Sequence, residues 1–558
     1  MLTGRERSGW ASDPLDSITL EILWSRLISA VDEAAVALVR TSFSTLAREA
    51  NDLAAVLLDP RGQLVAESTG AIPAFLGTVP RTVRHMLQRF PAATLQEGDV
   101  IITNDPWMGA GHLPDLVMAT PIFRDDRLVA MAACVCHLPD IGGGTSLTIS
   151  HREVYEEGLR IPPMKWQQAG RPNDALLELV TANVRVPDMV LGDLRAYRTA
   201  NETARRRVLE LMDDYELTDL GALSATIQTY SERAMREAIA AIPDGVASEE
   251  TVADGMADAI VVRVTVTIRG SEILVDLAGS SGEVPAAFNV PMNYTYAMAA
   301  YALKCAIAPH VPNNEGMLRP IRVDAPPGSL FNARFPLAVG ARHLAAHLIP
   351  SAVFAALASI IPERVQAGSF SPQWVGHFRS ASMYEGRTWV GNMPYSGGQG
   401  ASATHDGHSC LSFPGNVAAG STEIFESLVP VRIERRELRT DSGGPGLFRG
   451  GLGQVIDVRI LGDGPVRCSV WSGRRRYPAA GLFGGLPGAR GGTRVNGEDV
   501  DLNAEHTIDP GADIRLLLPG GGGYGDPRQR PRDQVIRDVE EGLVSPGSAA
   551  DVYGLNTQ

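Results

Sequence analysis

Apolar and polar positions along this chain follow two periods, and the places where the period changes mark its parts. In residues 13–41, Ile18, Leu20, Ile22, Leu23, Leu27, Ile28, Val31 and Ala35 recur at helical spacing, predicting one long amphipathic helix with Ser17 as N-cap. Residues 53–58 and 64–67 are short apolar runs around Asp59-Pro60-Arg61-Gly62, a hairpin pattern. A helix over 79–89 follows, then a strand over 98–103 that delivers Asn104 and Asp105 to a loop. Two more apolar stretches, 116–123 and 128–136, flank the polar turn Arg124-Asp125-Asp126-Arg127 and predict a second hairpin.

Residues 173–242 are almost wholly helical in pattern and dense in Arg, Glu and Leu, as a scaffold or interface would be. After Thr251 the period turns to strands, 261–268 and 273–277 around Arg269-Gly270, with a buried helix over 294–307. Beyond Ser421 short strands alternate with Gly and Pro. A chain of 558 residues exceeds one core. The expected fold is therefore mixed α+β or α/β and multi-domain. Its parts are an α/β unit at 1–172, a helical block at 173–245, a mixed domain at 246–430 and a β-rich, Gly-turn region at 431–558.

Candidate chemistry sits at the second hairpin. His112-Leu113-Pro114-Asp115 and His137-Leu138-Pro139-Asp140 repeat one word at its two ends. A two-residue turn at Asp125-Asp126 brings His112 within a register step of the residue opposite His137. Cross-strand Cβ atoms lie about 5 Å apart, so the two imidazoles converge, and Asp115 adds an oxygen donor. Two neutral His and a carboxylate suit a divalent transition metal; N and O donors without thiolate do not choose among Zn, Mn and Fe. The plainer alternative is a pair of hydrogen-bonded strand-end histidines. Cys134 and Cys136 point to one strand face and read as core packing.

Charge and composition narrow the partners. The net charge of −14 argues against nucleic acid or an anionic membrane, and no apolar run reaches membrane-spanning length. The N-terminal residues lack the apolar core of a secretory signal, and five scattered cysteines make no disulfide framework, so a cytoplasmic location is expected. The Gly-rich segments 442–446, 448–453 and 520–527 include no Gly-x-Gly-x-x-Gly between strand and helix and no phosphate-loop Lys. They read as tight turns that bring backbone close to a site or partner.

Ordered words along the chain carry a resemblance. They include Asn104-Asp105-Pro106 before His112-Leu113-Pro114-Asp115, Glu157-Gly158-Leu159-Arg160, Ala182-Asn183-Val184-Arg185 and Gly192-Asp193-Leu194-Arg195. Later come Asp441-Ser442-Gly443-Gly444, Phe448-Arg449-Gly450-Gly451 and Gly522-Gly523-Tyr524-Gly525-Asp526-Pro527. Over residues 13–553 the chain resembles the hydantoinase B/oxoprolinase family: the B-type subunits of ATP-dependent hydantoinases, the C-terminal half of 5-oxoprolinase, and subunits of acetone and acetophenone carboxylases. The resemblance implies a metal site of Asp52, His112, Asp115 and His137. Asn51, the Cys136–Pro139 word, His151, the 395–400 stretch and the pair His405 and His408 depart from the family pattern, which bears on substrate more than on metal.

The resemblance also implies a division of labour. An A-type, kinase-like partner uses ATP to phosphorylate a carbonyl oxygen, and the B-type metal site completes hydrolysis or carboxylation. The expected activity is opening of a cyclic amide (a hydantoin, 5-oxoproline or another lactam) in a hetero-oligomer. The alternatives are a ketone carboxylase subunit and a metal-free structural subunit. Asp105 and Glu157 are candidates for orienting a ligand or moving a proton, with turn or cap roles as the alternative.

Overall fold

The computed structural model describes residues 16–144, 149–256, 258–380 and 389–555, so the expectations for residues 1–15 lie outside the described residues. Its first sheet is antiparallel and seven-stranded. The strands are β1 (Leu53–Leu58), β2 (Leu64–Glu67), β3 (Val100–Thr103), β4 (Asp115–Arg124), β5 (Arg127–His137), β6 (Met164–Gln168) and β7 (Arg171–Pro172), in the order β2-β1-β5-β4-β3-β6-β7. β1 and β2 are buried throughout, because the sheet is covered on both faces. That is why these strands read as unbroken apolar runs rather than alternating ones.

One face packs against helix α1 (Ser17–Thr41) and helix α2 (Pro187–Asp214), burying Leu27, Val31, Leu57, Met118, Cys134, Cys136 and Tyr197 in one core. Helix α2 of the helical block is thus a layer on the first sheet. The N-cap of α1 is Asp16, one residue ahead of the expected Ser17; its carboxylate accepts from the N–H groups of Ile18 and Thr19 at 3.1 and 3.0 Å. Ile18 and Ile22 are exposed, so the buried stripe is narrower than the pattern suggested. Gly192 lies against the Phe43 ring, and Asp193 accepts from the N–H groups of Phe43 and Ser44, which gives that sequence word a structural role.

The opposite face packs on helix α3 (Met292–Ile307), within a second core that includes Val56, Val117, Val135 and Met298. Helix Ile349–Leu357 lies between α3 and a four-stranded sheet that runs Ile321–Asp324, Glu272–Asp276, Ile260–Arg269, Gly245–Ala253. Two further sheets share a third core around Trp374, Phe378, Ile456 and Val470. One of them joins strands Trp374–Ser380 and Val390–Tyr395 to Val466–Trp471 and His506–Ile508, so it crosses the boundary expected at 430. Strand pairing between residues far apart in sequence leaves no local mark at such a boundary.

The Gly-rich segments close on one another. Gly521 N–H donates to Gly451 O at 3.0 Å and Gly451 N–H to Gln399 O at 2.8 Å. A Cβ on Gly398 or Gly521 would collide with the backbone of Gly451 or Gln399, so only glycine allows this stacking. The expected close approach is therefore between backbones of this chain.

Glu67, at the end of β2, is buried and its Oε2 has no partner among the described residues. Burial pushes its carboxyl up to about 7, against the opposing hydrogen bond to Asn313 and the charge of Lys304. A raised folded-state pKa means this stabilisation is complete below the unfolded value and is lost as pH rises through about 7. Urea unfolding should show a loss on the order of 3 kcal/mol from this group between about pH 5 and pH 8. Glu67→Gln should remove that part of the slope; an unchanged slope would show that Glu67 ionises freely in the folded protein.

Candidate metal centre

The site is built on a single rung of the first sheet. In the β4–β5 hairpin, Asp125 and Asp126 take left-handed φ of 48° and 60°, the conformation a two-residue turn requires, and Arg124 pairs with Arg127. A bulge between Ile122 and Phe123 then shifts the register by one. The result is that Asp115, not the neighbourhood of His112, stands directly opposite His137. On the other side of β5, Leu53 of β1 pairs with Cys136, and His137 N–H donates to Asp52 O at 3.3 Å. Asp52, His137 and Asp115 therefore lie side by side at the ends of β1, β5 and β4.

His112 joins them from the preceding loop. Its Nε2 lies 2.9 Å from Asp115 Oδ1, and His137 Nδ1 lies 3.3 Å from the same oxygen. The three donors form a group compact enough for one ion. Asp52 is beside this group, its Oδ2 3.9 Å from His137 Nδ1. Donors bound to one ion at about 2.1 Å would stand about 3.0 Å apart at right angles and about 3.4 Å apart in a tetrahedron. The spacings of 2.9 and 3.3 Å at Asp115 Oδ1 lie close to that range, and the 3.9 Å of Asp52 lies beyond it.

The electrostatics fit a cation as well. His112 Nδ1 is 3.0 Å from Gly340 O, a pairing in which Nδ1–H donates and Nε2 keeps its lone pair. Among the described residues that buried Nε2 has no hydrogen-bond partner, although a carboxylate oxygen is 2.9 Å away. Burial first, then Arg342, pushes His112 down to about 4, leaving it neutral as a ligand must be. Burial would raise Asp115, but the Arg342 guanidinium beside it outweighs burial and holds the carboxyl well below the usual range. Arg342 Nη2 lies 2.6 Å from Asp115 Oδ2; its Nε–H donates to Ala110 O at 2.8 Å, and its guanidinium lies over the Tyr294 ring. Burial pushes Asp52 up to about 6, against the pull of His137.

These groups open onto a cleft of about 760 Å³, its mouth included. Later chain segments contribute Arg342, His343, His347, Gln373, His377 and Trp471 to its lining. Sequence reasoning missed all six. The spacing of His343 and His347 was the available signal, since residues four apart share a helix face; their rings are 5.5 Å apart across one helical turn.

Glu157 supports the centre from behind. Its carboxylate accepts from Gly340 N–H at 2.6 Å and Val339 N–H at 3.0 Å, fixing the backbone whose carbonyl orients His112. Asp105 does not line the cleft; it accepts from Trp107 N–H at 3.0 Å and pairs with Arg160 at 3.2 Å, shaping the loop. Asp140 of the second word pairs with Arg185, whose guanidinium also binds the carbonyls of Gly142, Gly143 and Gly144. Thus only the first word gives both its His and its Asp to the site. His151, His405 and His408 do not line the cleft.

Replacing His112 or His137 with Ala should lower divalent-metal affinity by about 100-fold or more while the melting temperature of the metal-free protein changes little. Metal titration followed by calorimetry and circular dichroism checks both. Because Asp52 carries a proton below about pH 6, affinity should fall as pH drops through that value. Asp52→Asn should bind more weakly and lose that step. Wild-type affinity in the His137→Ala variant would remove His137 from the centre.

The comparisons with known proteins agree in one direction. The family model for hydantoinase B/oxoprolinase matches residues 16–527. A chain assigned as the B-type subunit of a D-/L-hydantoinase from Pseudomonas sp. (strain NS671) is 30% identical over 97% of this chain and 95% of its own length. The beta chain of the caprolactamase of Pseudomonas jessenii is 32% identical over 97% of this chain and 96% of its own. The crystal structure of that ATP-dependent caprolactamase superposes with a TM-score of 0.90 over 98% of this chain and 97% of the matched chain, at 30% identity. Acetone carboxylase in its nucleotide-free form shares the fold, with a TM-score of 0.88 at 19% identity over 98% of this chain and 80% of that one. The chain belongs to the hydantoinase B/oxoprolinase family.

Proposed function

We propose that this chain is the metal-bearing B-type subunit of an ATP-dependent cyclic-amide hydrolase. The observation that carries the reading is the compact N/O donor set of His112, Asp115 and His137, with Asp52 beside it, lining one cleft. Membership of a family whose relatives include one chain of a hydantoinase and one of a caprolactamase supports the amide as substrate class.

His112, Asp115, His137 and Asp52 would hold a divalent ion, which would supply a Lewis acid for a carbonyl oxygen and lower the pKa of water towards about 7. The chain's own residues prepare that chemistry. Arg342 keeps Asp115 anionic in a buried place, and Glu157, accepting from Gly340 N–H, fixes the backbone whose carbonyl sets the His112 tautomer. Burial withdraws His112 and Asp115 from bulk water, which strengthens each of these interactions.

ATP chemistry belongs to a partner subunit in this reading. The Gly-rich segments that might have cradled phosphate are consumed in packing on each other. Two relatives are each named as one subunit of a larger enzyme, which supports assembly with another chain. Among the described residues no helix is long and apolar enough to cross a membrane.

The purified chain alone should hydrolyse neither ATP nor a cyclic amide. Co-expression with its A-type, kinase-like partner should give a complex that opens the ring with release of ADP and phosphate, and His112→Ala should abolish turnover without dissolving the complex. Ring opening by the isolated chain without ATP would contradict the reading and point to a simple metallohydrolase. Turnover that requires bicarbonate and consumes a ketone would assign the carboxylase instead.

A further inference from the structure

A second cavity of about 600 Å³, its mouth included, adjoins the metal cleft and shares His377 and Asn392 with it. Its basic lining is Arg185, Arg379 and Arg467. In the antiparallel pairing of strands Trp374–Ser380 and Val466–Trp471, Arg379 stands directly opposite Arg467. It lies two residues beyond His377, on the same face of its strand. Like charges directly opposite destabilise a sheet, so this pair must be offset by acids or by a ligand.

The acids present offset it only in part. Glu505 serves both guanidiniums through one oxygen: its Oε1 lies 2.8 Å from Arg467 Nε and 3.5 Å from Arg379 Nη2. Asp140 is committed to Arg185, which also donates to the carbonyls of Gly142, Gly143 and Gly144. The carboxylate of Glu157, the remaining acid of the lining, accepts from the N–H groups of Val339 and Gly340. Arg379 Nε is withdrawn from solvent and has no hydrogen-bond partner among the described residues. A buried donor of a charged group left unpaired is costly. Burial pushes Arg379 below its ordinary pKa; Glu505 opposes that shift, and the charges of Arg467 and Arg185 add to it. One more anion would relieve these costs together.

We propose that Arg379 and Arg467 form an anion site beside the metal cleft, of the class that takes a phosphate group, free or carried as an ester on a small molecule. A planar carboxylate is what Glu505 already provides, and it leaves Arg379 Nε unpaired. Two guanidiniums rooted on different strands reach a ligand from two directions, which suits a tetrahedral oxyanion with three or more acceptor oxygens. The shared His377 and Asn392 put the bound group next to the metal centre without using any of the metal-ligating residues. The inference goes beyond the amide-hydrolase reading and rests on it only for the source of the phosphate, which that reaction releases.

The test is calorimetric titration of the metal-free full chain, in which no bound ion competes for the probe, with inorganic phosphate, methyl phosphate and acetate. A phosphate probe should bind at a single site, and acetate at least about 10-fold more weakly. Arg379→Gln should weaken phosphate binding by about 10-fold or more, and Arg467→Gln, an independent second variant, by a similar factor. Replacing the exposed Arg435 with Gln should change it by less than about 2-fold. Circular dichroism confirms that each variant is folded. Tighter binding of inorganic phosphate identifies the free ion as the occupant and tighter binding of methyl phosphate the ester; both support the site. Failure of both phosphates to bind, acetate binding as tightly, an equal loss in Arg435→Gln, or affinity unchanged in Arg379→Gln and Arg467→Gln overturns it. Ring opening by the wild-type complex, which tests the amide-hydrolase reading, is independent of these outcomes.

Discussion

The register of three strands decides whether this protein has a metal centre. Asp52, His137 and Asp115 stand at the ends of β1, β5 and β4 on one rung, and a slip of one residue in either pairing would turn a side chain to the opposite face of the sheet. The bulge after Ile122 sets the final register, and two positive-φ aspartates fix the turn that precedes it. Burial of both sheet faces makes any slip costly, since every strand would exchange apolar neighbours for the wrong core. The geometry of the site is therefore a by-product of core packing, which holds it more rigidly than loops would.

Gathering donors this closely has an electrostatic cost, and the molecule answers it with Arg342. A buried carboxylate left without an opposite charge beside it would take up a proton. The guanidinium at 2.6 Å prevents that, and is itself held by a carbonyl and an aromatic ring. Arg342 arrives from a segment more than two hundred residues downstream, as do the histidines of the cleft wall. The first sheet supplies the donors, and the later units supply the charge balance, the orientation of His112 and the enclosure. Neither half makes a site alone.

Much of this was legible in the sequence. The α1 period, the first hairpin and the β4–β5 hairpin with its Asp-Asp turn follow from local patterns that the structure keeps. The repeated His-Leu-Pro-Asp word pointed to His112, Asp115 and His137, while Asp52 came through family resemblance alone. What was not legible depends on contacts across long separations or on small displacements of register. The bulge after Ile122 has no local signature, so Asp115 rather than a neighbour of His112 proved to face His137. Arg342 and His343 look like ordinary residues of a short helical segment until the chain brings them to the first sheet. The two halves of the third sheet, at residues 374–395 and 466–508, likewise carry no sign of their pairing. The Gly-rich segments were recognised as sites of close backbone approach, but what they approach is each other.

The central claim, that the rung is a metal centre, is tested most directly by diffraction from crystals of this chain grown with Mn or Zn and collected at the metal absorption edge. The account predicts one strong anomalous peak within about 2.0–2.3 Å of His112 Nε2, Asp115 Oδ1 and His137 Nδ1, with the Asp52 carboxylate turned towards it. An empty rung under saturating metal, or a peak bound elsewhere with His112 Nε2 still unpaired, would contradict it.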